Sequence, residues 1–437
     1  MKTKINLRLL LFIVIAQLRM KAITAQTDTL QLMDQLQKVF PGAEISRMNP
    51  VKGFSLVFKL QIRQWLDHTC PSCGSFSQII YLYHRSRKSP NVLVSEGYEI
   101  DDRIYEPTMI LQTNQINVEY RFHGHSRPDK IPWELLTQEQ ALQDLHAIRQ
   151  AMSHIYKKSW TVTGISKGGT TAALYALHFP KDVKAAVAYV APFALAQEDP
   201  RTMEYYRHQA GTEECRRRVH EFQRSILLHR NELIPMLDKL ATSEGTHFSI
   251  GTGKALEYAA MEFPFSFWQW GFGCSEIPER EAGAQEIFDY VEQVVDFNYY
   301  DDQTIARFEP AFYQFMTEFG YYGFDTTGIS DLLQVELHPS NLTFCPKETE
   351  IRYRPEYMKM MNDRAIHHGK HIMYIYGAID TWSACAIQPD ASTRCPVYFA
   401  ANIGHRARIR NLGEASRKEI YKTLHSWTRA PTIPLPY

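Results

Sequence analysis

The chain has 437 residues, 44% of them hydrophobic and 22% charged, with 48 basic residues balancing 48 acidic ones. That length buries a large core and accommodates two or three domains. The balanced charge, with no basic stripe, excludes a nucleic-acid surface, and no apolar run reaches the ~20 residues of a membrane-spanning helix.

Lys2, Lys4 and Arg8 precede the apolar run 9–16, and Ala22-Ile23-Thr24-Ala25 offers small residues before Gln26. Residues 1–25 therefore read as a signal peptide, with an uncleaved anchor as the alternative. They carry five Lys/Arg and no acid, so the mature chain has 43 basic and 48 acidic residues, a net −5. Residues 30–40 are amphipathic and end at Pro41-Gly42. Residues 54–63 and 78–84 alternate and are aromatic-rich, the pattern of an antiparallel pair. Cys70-Pro71-Ser72-Cys73 falls in the turn between them. A redox pair wants its second cysteine in a helix after a strand, so a structural disulfide or paired thiols is expected. His68 lies nearby, but no second ligand pair follows at zinc spacing. All seven cysteines (70, 73, 215, 274, 345, 385, 395) suit an oxidising compartment, with up to three disulfides and one thiol over.

A short buried strand over 91–94 leads into Ser95-Glu96-Gly97-Tyr98, and another over 115–122 leads into His123-Gly124-His125-Ser126. Leu142, Leu145, Ile148 and Met152 recur at helical spacing within 137–156, with Thr137 as N-cap and Gln140 three residues on. Trp160-Thr161-Val162-Thr163 is β-rich. Gly164-Ile165-Ser166-Lys167-Gly168-Gly169 follows it, and then an alanine-rich helix closed by Pro180. Residues 183–190 form a further strand. From 196 to 368 the pattern is helical and polar-aromatic. Strands resume at 371–376, ending in Gly377, and at 395–400, ending in Ala401-Asn402-Ile403-Gly404-His405; a helix over 417–429 closes the chain. Alternating strands and helices predict a largely parallel sheet covered on both faces.

Strand, glycine-flanked serine, helix is the context of a nucleophile elbow. The tight turn strains the serine backbone and needs small neighbours, and it sets the serine at a helix N-terminus that favours developing negative charge. A serine also needs a base, and the base a carboxylate. In the α/β-hydrolase plan they follow in the order Ser, acid, His, each after a strand. Asp380 and His405 meet that order behind Ser166, whereas His367, His368 and His371 precede their strand and Asp390 leads into one. These residues predict an α/β-hydrolase fold with a large helical cap inserted before the last two core strands. Residues 26–195 form the first part of the core, 196–368 the cap and 369–437 the second part. The oxyanion hole is assigned to the Lys167 N–H and to that of Gly97 or Tyr98, the Lys167 side chain facing solvent. The aromatic run 263–271 reads mainly as cap core, with Trp268 as a pocket wall.

The chain also resembles a known group through Gly-Ile-Ser166-Lys-Gly-Gly, Ser-Glu96-Gly-Tyr, Val-Glu119-Tyr-Arg-Phe-His-Gly-His-Ser-Arg-Pro, Glu262-Phe-Pro-Phe-Ser-Phe-Trp-Gln-Trp-Gly, Tyr-Gly-Ala-Ile-Asp380-Thr-Trp-Ser-Ala and Gly-His405-Arg-Ala-Arg-Ile. These motifs, in order over nearly the whole mature chain, are similar to the secreted bacterial tripeptidyl aminopeptidase family of serine peptidases, akin in plan to the prolyl carboxypeptidase group. The resemblance implies export and release of short peptides from a free N-terminus, with Ser166 as nucleophile, Asp380 as acid and His405 as base. Asp380-Thr-Trp, where Pro-Trp is expected, is a small departure. Such chemistry needs no metal or organic cofactor, and its partners are peptide substrates, with no membrane after signal removal. A free terminal ammonium wants a carboxylate, for which Glu96, Glu119 and Glu262 are candidates. A carboxylester hydrolase on the same triad is the alternative, and a catalytically dead binding protein the third reading.

Overall fold

A computed structural model describes residues 28–435; the expected signal peptide lies outside them. A first helix, α1, runs through residues 28–39. The elements that follow are β1 (Glu44–Arg47), β2 (Leu56–Trp65), β3 (Ser75–His84), β4 (Asn91–Ser95), α2 (Glu106–Leu111), β5 (Asn114–Val118), α3 (Gln138–Ser153), β6 (Trp160–Ile165), α4 (Lys167–His178) and β7 (Ala185–Tyr189). Then come β8 (Glu198–Asp199), α5 (Pro200–His208), α6 (Glu213–Leu228), α7 (Arg230–Glu244), α8 (Thr252–Trp270), α9 (Ala284–Val295), α10 (Asp302–Gln314), β9 (Tyr321–Tyr322) and α11 (Glu356–His368). The chain closes through β10 (Ile372–Gly377), β11 (Val397–Ala400) and α12 (Glu414–Thr428).

Nine strands form one sheet in the order β1-β2-β3-β5-β4-β6-β7-β10-β11. β1, β2, β3 and β5 pair antiparallel, and from β5 to β11 every pairing is parallel. The burial of β4, β5, β7 and β10 at every position follows from their position between two helical layers. The period of two then sorts their side chains. Ala186, Ala188, Ile372 and Tyr374 join the core beneath α3 and α4, whereas Val187, Met373 and Ile375 pack with Ile110, Leu111, Ile420 and Leu424 of α2 and α12. This is the α/β-hydrolase arrangement, as the motif order predicted.

Local signals held where they were explicit. Thr137 Oγ1 accepts the Gln140 N–H at 3.2 Å and starts α3. The strand expected over 115–122 stops at Val118 instead. Arg121, fully buried, turns away to pair with Asp144 at 2.7 Å and to donate to the Leu66 and Leu135 carbonyls, which takes its segment out of the ladder. The short β1 and α2 had no pattern long enough to be read.

Between β7 and β10 the chain is helical as far as α10 and then runs through β9 and a long irregular stretch to α11. α8 is its centre, flanked by α5, α6, α7 and α9, while α11 returns to pack on α4 of the sheet layer. Two disulfides form, Cys70–Cys73 in the β2–β3 hairpin and Cys215–Cys274 between α6 and the chain after α8. Cys345, Cys385 and Cys395 stay as buried thiols, so the allowance of three bridges is not filled. No helix among the described residues is long and apolar enough to cross a membrane.

Candidate active site

Ser166 stands between β6 and α4 with φ 57° and ψ −127°, a backbone that only a sharp turn imposes on a non-glycine residue. Its N–H donates to the Tyr189 carbonyl at 2.9 Å, which ties the bend to β7. A Cβ on Gly164 would run into the Gly168 carbonyl, so the residue before the bend has to be glycine for strand and helix to meet this closely.

Asp380 and His405 follow β10 and β11, whose carboxyl ends share the sheet edge reached by β6. His405 Nδ1 lies 2.7 Å from Asp380 Oδ2, with the carboxylate 0% and the imidazole 7% exposed. Asp380 Oδ1 accepts the Trp382 N–H at 3.1 Å, so both of its oxygens are engaged. Three clamps reach the loops of this pair from α5 and α8. The His405 N–H donates to the Gln269 carbonyl at 2.6 Å. Thr381 Oγ1 donates to the Phe265 carbonyl at 3.1 Å, and the Tyr205 hydroxyl to the Ala378 carbonyl at 2.6 Å. The Trp270 ring meets His405 edge to face at 6.2 Å. By contrast, His367 pairs with Asp390 in the open, away from any strand exit.

On the expected oxyanion loop, Gly97 has φ +79° and a Cβ there would sit 2.5 Å from the Gly168 nitrogen, so the loop rests directly on the first turn of α4. Neither the Gly97 nor the Tyr98 N–H has a hydrogen-bond acceptor among the described residues. The Lys167 N–H opens α4, where amides lack helical partners. The Lys167 side chain, expected in solvent, is 1% exposed. It is drawn inward because the Gly97 carbonyl and the Tyr120 ring receive its ammonium, at 2.6 Å and 3.2 Å.

The four substrate-binding candidates separate by their hydrogen bonds. Glu119 is fully used: Oε1 accepts the Ile100 N–H at 3.1 Å and Oε2 the Ser126 hydroxyl at 2.6 Å. Glu96 Oε2 accepts the Tyr105 hydroxyl at 2.6 Å and Oε1 has no partner; burial pushes its carboxyl up to about 8. Glu262 lies buried in α8, accepts the Ser266 hydroxyl at 2.7 Å, interacts with the Tyr322 phenol and keeps Oε2 unpartnered; burial pushes it up to about 7. Trp268 is buried against Gly211, with its indole N–H unpartnered.

Several residues at the site escaped the sequence reading. The Tyr98 ring meets His123 and Phe315 edge to face, and the Tyr299 and Tyr321 hydroxyls hydrogen-bond at 3.3 Å. Glu106 accepts the Ile409 N–H at 2.8 Å and anchors the chain just past His405. A tyrosine pair following a glycine and an acid opening α2 were the only signals, and neither is specific. Among the described residues, no cluster of His, Cys, Asp and Glu has the makings of a metal site, and His68 bonds Asp144 at 2.7 Å.

A mostly parallel sheet with a strained serine at a strand-to-helix bend defines an α/β hydrolase. The sequence model of the family described as PS-10 peptidase S37 matches residues 25–431, and the chain belongs to that family of serine peptidases. The resemblance carried by the motifs is thus borne out. The chain is 29% identical over 358 residues to the prolyl tri/tetrapeptidyl aminopeptidase of Streptomyces mobaraensis, a match covering 80% of this chain and 75% of that one. Among solved structures it is similar to a proline iminopeptidase from Mycobacterium smegmatis, at 12% identity and a TM-score of 0.43 over 84% of this chain and 99% of that one. It is also similar to the peroxisomal alpha-beta-hydrolase Lpx1 from Saccharomyces cerevisiae, at 12% identity and a TM-score of 0.37 over 90% of each chain.

Proposed function

We propose that the protein is an exported aminopeptidase releasing short peptides, tripeptides foremost, from free N-termini through an acyl-enzyme on Ser166. The observation that carries this reading is the buried His405–Asp380 hydrogen bond at the sheet edge where the Ser166 bend opens. With Nδ1 held by Asp380, Nε2 is the ring nitrogen that takes the Ser166 proton and returns it to the leaving amine. Ser166 attacks the peptide carbonyl, backbone N–H groups of Lys167 and of the Gly97–Tyr98 loop receive the oxyanion, and water then releases the acyl group. The curated relative's name supports the length of peptide.

Glu262 is the counter-charge for the substrate's terminal ammonium. It keeps a free carboxylate oxygen, whereas Glu119 is spent on its own loop. Residues 26–195 and 369–437 form the catalytic core and 196–368 a cap that admits chain ends, with α11 as its return to the core. The N-terminal charge and apolar pattern, together with two disulfides, support export.

The test is an assay of the mature protein and its Ser166→Ala variant on a free-amine tripeptide amide, its N-acetylated form and a short-chain ester. Ser166-dependent cleavage of the free-amine peptide alone is expected. Preference for the ester, or for the acetylated peptide, overturns the aminopeptidase assignment.

A further inference from the structure

A lysine next to the nucleophile has no obvious reason to be buried. Removing an ammonium from water is costly unless donors and charges are met, and a methionine would fill the same space without that penalty. Lys167 nonetheless points its Nζ inward, where it donates to the Gly97 carbonyl at 2.6 Å and lies over the rings of Tyr120 at 3.2 Å and Tyr98 at 5.4 Å. Burial holds its amine well below the usual lysine range, opposed only by the charge of Glu318. Glu318 itself is occupied with the Gln138 N–H at 2.7 Å. Among the described residues, the one conventional hydrogen bond that Nζ makes is therefore to the backbone carbonyl of Gly97, on the loop assigned to the oxyanion.

That contact fixes a peptide plane. In a trans peptide the carbonyl and the following N–H point in opposite directions, and no cis bond occurs among the described residues. With the Gly97 carbonyl turned to Nζ, the Tyr98 N–H faces the other way. A further contact holds the same residue: the Tyr98 carbonyl accepts the Tyr120 N–H at 3.0 Å. We infer that Lys167 is a positioning residue for catalysis, its Nζ orienting and polarising the Gly97–Tyr98 peptide so that the Tyr98 N–H is the second oxyanion donor. One residue then serves both halves of the hole, giving its own N–H directly and setting the other through its side chain. An amide whose carbonyl accepts a strong donor becomes a better donor in turn. The benefit grows as charge develops on the substrate oxygen, so it falls on kcat rather than on KM.

The inference rests on the serine peptidase mechanism above, and the experiment separates the two. In the mature protein, Lys167→Met and Lys167→Gln are each assayed on the free-amine tripeptide amide, against a tripeptide boronate as tetrahedral mimic and the tripeptide product. A drop in kcat of about 10- to 100-fold is expected with KM within about threefold, since removing a whole oxyanion donor costs about 100- to 1,000-fold. Boronate affinity falls with kcat while product affinity holds. Thermal midpoints stay level or rise for Lys167→Met, because a buried amine has gone. Either variant that melts cooperatively decides the matter. A kcat within threefold of the parent, or equal losses for boronate and product, overturns the inference. Turnover surviving in Ser166→Ala sinks instead the mechanism on which it rests.

Discussion

Glu262→Gln probes the buried end of the site through both stability and binding. The carboxyl is 5% exposed, and burial lifts it from an ordinary 4.5 to about 7. Below pH 4.5 folded and unfolded chains both hold the proton. Between 4.5 and about 7 only the folded chain keeps it, so the folded state binds more protons and stability falls as pH rises; above about 7 the difference is complete. At 1.36 kcal/mol per unit this amounts to about 3 kcal/mol. Glutamine preserves the acceptor for the Ser266 hydroxyl and does not titrate. Urea unfolding of parent and variant at pH 4 to 8 should show the variant gaining about 3 kcal/mol on the parent across that window, with Glu96 and Glu318, also raised by burial, cancelling in the difference. The same substitution removes a charge-assisted bond of about 1.5–3 kcal/mol to the substrate amine, a rise in KM of about 10- to 100-fold for the free-amine peptide. Parallel stability curves would refute the burial reasoning, and an unchanged KM would refute Glu262 as the amine's partner.

Asp380→Asn keeps the shape of the acid loop but removes the charge that fixes the His405 tautomer. Turnover should fall about 10⁴-fold with KM little changed, and a loss under tenfold would contradict the pairing. Cys215→Ser opens a bridge with a sequence separation of 59, against 3 for Cys70–Cys73. Chain entropy makes the longer loop worth about 4 kcal/mol, so calorimetry should find a far larger loss for Cys215→Ser than for Cys70→Ser, and equal losses would count against that account.

Much of the site could be read because its signals are local. A serine between glycines after a β-rich run and before alanines states its own geometry, Asp380 sits just beyond an apolar run that forms the fully buried β10, and His405 follows the short edge strand β11. The direction of Lys167 was not local. The atoms that turn it inward belong to Gly97, 70 residues earlier, and to Tyr120, so a lysine at the head of a helix reads as solvent-facing until the loop is laid across it. Glu106 shows the same limit, since the amide it anchors lies 303 residues away. The thiols of Cys345, Cys385 and Cys395 were open for the same reason, as pairing depends on which loops the fold brings together.

The helices between β7 and β10 bond directly to the loops that follow β10 and β11. α8 accepts the His405 N–H through the Gln269 carbonyl and the Thr381 hydroxyl through the Phe265 carbonyl, while α5 reaches the Ala378 carbonyl through Tyr205. Gly404 is pressed against the Gln269 carbonyl so closely that no side chain fits between. Lifting α8 off the sheet would break the backbone bond that sets the His405 loop and the hydroxyl bond beside Asp380 together. The loops carrying Asp380 and His405 therefore draw part of their support from α8. Ser166 has no such dependence, because its bend is fixed by Tyr189 and Gly164 from within the sheet. The bend at Ser166 and the loop of His405 thus rest on different supports, the first on β7 and the second on α8.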